Sequence, residues 1–113
     1  MPSADFRADD PETAAPITLC CLLWAHPGRE DALTAYEDRV LAFVADHRGE
    51  VLERVRGDGA AGHPLEVQVI RFAEQAGLDG YLADPRRLAL AGERDGAVER
   101  TELFPVSRRA ARG

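Results

Sequence analysis

"ITLCCLLWA", residues 17–25, carries a single polar side chain, Thr18. Successive side chains on a strand point to opposite faces of a sheet. Read as a strand, the stretch turns Ile17, Leu19, Cys21, Leu23 and Ala25 to one side and Cys20, Leu22 and Trp24 to the other. Both faces are apolar, whereas an antiparallel strand with one wet face alternates apolar and polar. A central strand with a covered sheet on both sides satisfies this pattern. What supplies the second cover decides the architecture.

The rest of the chain supplies only one layer. Glu30 and Asp31 suit the positive end of a helix dipole. From there Leu33, Tyr36, Val40, Phe43 and Val44 recur at helical spacing, predicting an amphipathic helix that runs to about His47 and stops at a left-handed Gly49. Residues 50–56 ("EVLERVR") and 65–72 ("LEVQVIRF") alternate as strands and form a hairpin across the Gly-rich "GDGAAGHP". Helical spacing returns through Leu78, Tyr81 and Leu82. Asp84-Pro85 then starts a further short helix, with Asp as cap and Pro at the first position. Residues 97–106 ("AVERTELFPV") close the order as a fourth strand. Residues 1–16 read as a polar, flexible arm and 107–113 as a basic tail, leaving 17–106 as the one domain.

The order β-α-β-β-α-β is the ferredoxin-like split βαβ arrangement, an α+β fold. Right-handed crossovers place both helices on one face of a four-stranded antiparallel sheet. The other face keeps Cys20, Leu22 and Trp24 with alternate residues of strands three and four. Leaving that face wet would forfeit stabilisation comparable to the whole ~5–15 kcal/mol of a small domain. A second copy of the chain, packed sheet to sheet about a twofold axis, covers it. The expected partner is therefore the chain itself, as a homodimer with a barrel-like interior.

Composition narrows the chemistry mainly by subtraction. The chain has 113 residues, 45% hydrophobic and 30% charged, with net charge −6, as expected of an ordinary globular domain and not of a nucleic-acid binder. No apolar run approaches the length of a membrane span, and "MPSADFRADDPETAAP" has no apolar core of a secretory signal, so the expected location is cytoplasmic. All 14 basic residues are Arg, and Asn is absent. Schiff-base and P-loop chemistry both need Lys. The two serines, Ser3 and Ser107, sit near the ends, which argues against a serine nucleophile. The adjacent Cys20 and Cys21 point apart on a strand and read as structural thiols. His26, His47 and His63 are too dispersed for a local metal site. Neither a metal nor a cofactor is expected. "GDGAAG" (57–62) matches G-x-G-x-x-G literally, but a strand follows it and not the helix that dinucleotide binding requires.

The stretches "PGRED", "HRGEVLERVR", "VIRFAEQAGLDGYLADPRR" and "ERDGAVERTELFPV" resemble the dimeric α+β barrel superfamily, and within it a small bacterial family of unknown function. The resemblance spans residues 17–106. It implies the dimeric barrel and a range of activities that includes cofactor-free monooxygenases, haem degraders, muconolactone isomerases and aromatic polyketide cyclases. The haem-degrading pattern is not carried over. It pairs an Asn and a Trp with a haem-ligating His, and this chain has no Asn and no His on its second helix.

Six residues are candidates for a site. His26, at the mouth of strand one, is the candidate proton carrier, with Glu74 at the carboxyl end of strand three as its expected neighbour. Arg71 shares a strand face with Leu65, Val67 and Val69; it is expected to pair with Glu99 or Glu102 or to clamp an anionic substrate. Trp24, Tyr36 and Tyr81 are the aromatic candidates for a cavity wall. Arg94, beside Asp95, matches a recurring Arg-Asp pair of the family. The expected function is binding or cofactor-free transformation of a small apolar or aromatic metabolite, in the manner of a monooxygenase, isomerase or cyclase. The alternative is a non-catalytic structural or partner-binding dimer whose interior is filled by Leu22, Trp24, Phe72 and Phe104.

Overall fold

A computed structural model describes residues 15–109; the predicted arm, apart from Ala15 and Pro16, and the last four residues of the predicted tail lie outside the described residues. The strands are β1 (Ile17–Ala25), β2 (Gly49–Arg56), β3 (Glu66–Phe72) and β4 (Val98–Pro105). The helices are α1 (Glu30–Leu41), α2 (Gln75–Leu82), α3 (Pro85–Leu88) and α4 (Ala91–Ala97), with 3₁₀ turns at Val44–His47 and Ala60–Gly62. All strand pairs are antiparallel in the order β2-β3-β1-β4, the ferredoxin-like topology.

β1 is central, hydrogen-bonded to β3 on one side and β4 on the other. Leu19, Cys21 and Leu23 are buried beneath the helices. There they join two apolar clusters. Leu33, Tyr36 and Val40 of α1 meet Cys21, Leu23, Leu65, Ala97 and Val98. Val44, Ile70, Phe72, Leu78 and Tyr81 gather on Leu19. Each fully buried Leu, Val or Phe contributes about 1.5–3 kcal/mol, so this layer holds the fold together. The opposite face carries Thr18, Cys20, Leu22 and Trp24 on β1. Register sets Val67, Val69 and Arg71 of β3 and Arg100, Glu102 and Phe104 of β4 directly beside them. In the single chain these apolar side chains stay half-buried or exposed, Phe104 at 39% and Val55 on β2 at 54%.

Three local expectations are corrected. α1 stops at Leu41, because Phe43 N–H turns back to the Val40 carbonyl at 3.0 Å and tightens the chain into the 3₁₀ turn. The left-handed residue that follows is Arg48 (φ 61°) and not Gly49. Gly49 serves a different need: a Cβ there would stand 2.6 Å from the Phe72 ring and 2.7 Å from Val44. It is glycine for close approach. Phe72, placed in the open-face interior above, is instead buried under the helices against Tyr81, because its register position shares the parity of Ile70. Asp84 caps α3 as expected, its Oδ1 accepting from Arg86 N–H at 2.8 Å with Pro85 at the first position.

A candidate small-molecule cavity between sheet and helices

The helices do not fill the space over the sheet. A cavity remains, with about 60 Å³ open to the centres of water-sized molecules. One water needs roughly 10–15 Å³ on that measure, so several waters or a small organic molecule fit. Its walls are mainly apolar: Leu19, Leu23, Ile70, Leu78 and Leu103 among them. Set into this surface are Glu37 from α1, Gln68 from β3, Tyr81 from α2, Arg87 from α3, Arg94 from α4 and Thr101 from β4. An apolar pocket with a few convergent polar groups is the usual form of a small-molecule site.

Two buried carboxylates beside it have different environments. Glu66 is 1% exposed and meets the Arg54 guanidinium, with Nε at 2.5 Å and Nη2 at 3.4 Å. Glu37, 5% exposed, has no ion-pair partner among the described residues. It accepts instead from Gln68 Nε2 at 2.8 Å, and the same amide donates to Glu66 at 2.8 Å. An amide nitrogen carries two donors, and two flanking acceptors fix its orientation. Burial pushes the Glu37 carboxyl up; the Gln68 hydrogen bond opposes the shift and the neighbouring Glu66 adds to it. Burial likewise raises Tyr81, and it raises the Cys21 thiol to about 12, which leaves that cysteine inert.

Arg87, also on the cavity lining, donates through Nη1 to the Leu82 carbonyl at 3.2 Å and lies 5.2 Å from the Tyr81 ring centre. Its Nε–H is buried with no acceptor among the described residues. Arg94 donates to Thr101 Oγ1 at 3.2 Å. The cavity therefore offers a carboxylate without a direct ion pair among the described residues, with the Arg54 and Arg87 charges nearby, and a guanidinium with a spare donor.

Of the residues singled out from sequence, the fold brings Tyr81 and Arg94 together on this wall. Tyr36 is buried in the apolar cluster beside Leu33 and is not part of the lining. His26 lies beyond the end of β1, where its Nε2–H donates to the Asp95 carbonyl at 3.1 Å. Glu74 is not its neighbour: antiparallel pairing sets the carboxyl end of β3 against Ile17, at the opposite end of β1. Trp24 and Arg71 lie on the open sheet face. The Trp24 indole donates to the Gly62 carbonyl at 2.9 Å, and the Arg100 guanidinium stacks 4.2 Å from its ring centre. Arg71 sits between Thr18 and Glu50 in the ladder, with β1 separating it from the β4 strand of Glu99 and Glu102. The expected ion pair is therefore not made, and Glu102 pairs with Arg100. "GDGAAG" folds as a loop with left-handed Gly59 and Gly62, and β3 follows it.

Glu37, Gln68 and Arg87 escaped the sequence reading. A signal for two of them was present. Glu37 lies on the helical stripe of Leu33, Tyr36 and Val40, and Gln68 shares strand parity with Ile70 and Phe72. A polar residue on a core-facing stripe is the informative kind. Among the described residues, no three His, Cys, Asp or Glu cluster as metal ligands, and no helix is long and apolar enough to cross a membrane.

No protein-family model matches the chain, and no curated protein matches it in sequence. Solved structures do. A protein of unknown function from Rhodopseudomonas palustris is 21% identical, aligns over 96% of this chain and 92% of its own, and has a TM-score of 0.67. SnoaB from Streptomyces nogalater, described as a cofactor-independent oxygenase, is 18% identical over 86% of this chain and 97% of its own, with a TM-score of 0.63. A protein from Bacteroides fragilis, described as dimeric, of unknown function and ferredoxin-like, is 11% identical over 85% and 99%, at 0.65. The chain has the ferredoxin-like fold.

Proposed function

We propose that the chain is a cytoplasmic homodimer, paired through the open sheet face, and that each subunit binds and transforms a small apolar or aromatic metabolite without a cofactor. The observation that carries this reading is the cavity: apolar walls into which Glu37, Gln68, Tyr81, Arg87 and Arg94 are set at the cost of their desolvation. Buried polar groups beyond what the fold needs suit a ligand with one or two polar atoms on an apolar body. Tyr81 and Arg94 contact that ligand; His26, Trp24, Tyr36 and Arg71 lie off the wall and serve the scaffold and the paired face. The likeness to SnoaB adds weight to cofactor-free chemistry. The free thiols of Cys20 and Cys21 suit a reducing compartment.

A thermal-shift panel of apolar carboxylic acids, phenols and quinones tests it. Binding to the native state raises the melting temperature by mass action, by an amount that grows with ligand concentration. The expected hits are planar molecules with one acidic oxygen, and Leu103→Trp, which fills the cavity wall, removes the shift. A flat panel favours the alternative of a non-catalytic dimer.

A further inference from the structure

We propose that Glu37 is a catalytic residue, the proton acceptor of an enolisation, and that Arg87, with Arg94, receives the oxygen on which the negative charge develops; the substrate class is an apolar or aromatic ketone with an acidic C–H beside its carbonyl. This rests on the cavity being a ligand site. The argument is one of arrangement. Two buried carboxylates share one amide, and only Glu66 also has a guanidinium. Glu37 is left on the cavity wall as a carboxylate held by a single amide donor, with no direct ion pair among the described residues, while the Arg54 and Arg87 charges act on it from a distance. Paired carboxylates in unlike environments divide into a fixed anion and a proton carrier. Arg87, on the same cavity, keeps a buried N–H with no acceptor among the described residues. Such a donor in a water-poor site stabilises an oxyanion far more than it does in water.

The step balances without a co-reactant. Glu37 takes the proton from the carbon next to the carbonyl, and that C–H electron pair becomes the carbon–carbon double bond. The carbonyl π pair moves to oxygen, where the Arg87 and Arg94 N–H groups meet it. Return of the proton from Glu37 to the same carbon, or to one further along a conjugated system, regenerates the carboxylate and yields the starting ketone or its isomer.

The test uses the full chain and 2-tetralone, an apolar aromatic ketone, in D₂O, following loss of its C1 protons by NMR and its affinity by calorimetry. Wild type accelerates exchange saturably. Glu37→Gln lowers the protein-dependent rate about 10²–10⁴-fold while affinity changes by less than about threefold, the mark of a group used in the transition state. Arg87→Met lowers the rate with a similarly small change in affinity. Should the Gln variant fail to fold, the wild-type pH profile decides. Around Glu37 stand Cys21 of β1, Arg54 of β2, Glu66 of β3, Tyr81 of α2, Arg87 of α3 and Tyr36 on its own helix. The rate falls with acid through one inflection above the ordinary carboxylate range. Binding without acceleration, an undiminished Glu37→Gln rate, or an inflection at the ordinary range or none, overturns the inference and leaves the pocket standing. Failure of wild type to bind the ketone overturns the inference, and a flat thermal-shift panel beside it removes the pocket as well.

Discussion

Leu22→Arg tests the covered face directly. Leu22 sits at the middle of the open face, with Val67 beside it on β3 and Glu102 beside it on β4. In a twofold dimer both copies of Leu22 are buried at once. Each is already half-buried in the single chain, so pairing gains about half of the ~1.5–3 kcal/mol of full burial per copy, and the substitution deletes about 1.5–3 kcal/mol of association, roughly 10–10²-fold in Kd. The charge that replaces it adds a desolvation penalty in the same direction. Glu102, directly across the ladder, gives the new guanidinium a partner within the single chain, so the monomer keeps its fold while losing its mate. Sedimentation velocity at micromolar concentration reads the result. Wild type is expected near twice 12.3 kDa, and the variant at 12.3 kDa with unchanged circular dichroism. A wild-type protein that sediments as a folded 12.3 kDa species refutes the pairing, because the apolar face would then be stable in water.

Three further outcomes are expected. Iodoacetamide at pH 8 leaves both cysteines of wild type unmodified and labels Cys20 but not Cys21 in the Leu22→Arg monomer, as peptide mass spectrometry would report; Cys21 is buried under the helices with its thiol raised to about 12. Gly49→Ala forces a methyl against Phe72 and Val44 and lowers stability by about 1–3 kcal/mol in urea titration, with Phe72→Leu in the same chain recovering part of the loss. The Asp84 carboxyl is held well below the ordinary range, first by the Arg86 guanidinium and then by His47 at 2.7 Å. A native carboxyl that binds protons more weakly than the unfolded one stabilises above the unfolded pKa, about 3.9, and loses that stabilisation as pH falls. Asp84→Asn therefore lowers the melting temperature at pH 7, with the gap to wild type narrowing below about pH 4; a gap independent of pH contradicts the assignment.

The elements themselves were legible because their causes are local. Strand alternation, the 3.6-residue recurrence of Leu33, Tyr36 and Val40, and the Asp84-Pro85 start act over a few residues, and the bounds of β1 are those of the apolar run. The ending of α1 was not legible: whether Arg48 or Gly49 turns left-handed depends on Phe72, which fills the space over Gly49 from a distant strand. The faces of Glu66–Phe72 follow parity, but Leu65, expected beside Val67 and Arg71, precedes β3 and turns into the core under the helices. The neighbours of Arg71 were not assigned correctly either, because strand order sets them and β1 stands between it and β4.

What the sequence by itself determined about this protein is a central strand apolar on both sides in a β-α-β-β-α-β chain, and with it the class of fold. Burial periodicity is written residue by residue, and the number of helices bounds how much of a sheet they can cover. What only the tertiary structure decided is the site. Glu37, Gln68 and Glu66 converge because α1 crosses β3 at one particular place, and Arg87 joins the same cavity because a break in the second helical segment brings α3 over it. Glu37 and Gln68 stand on core-facing stripes, but nothing local shows that they meet each other or Arg87. Packing takes the water from around them, and that burial, a long-range effect, is what raises the Glu37 carboxyl.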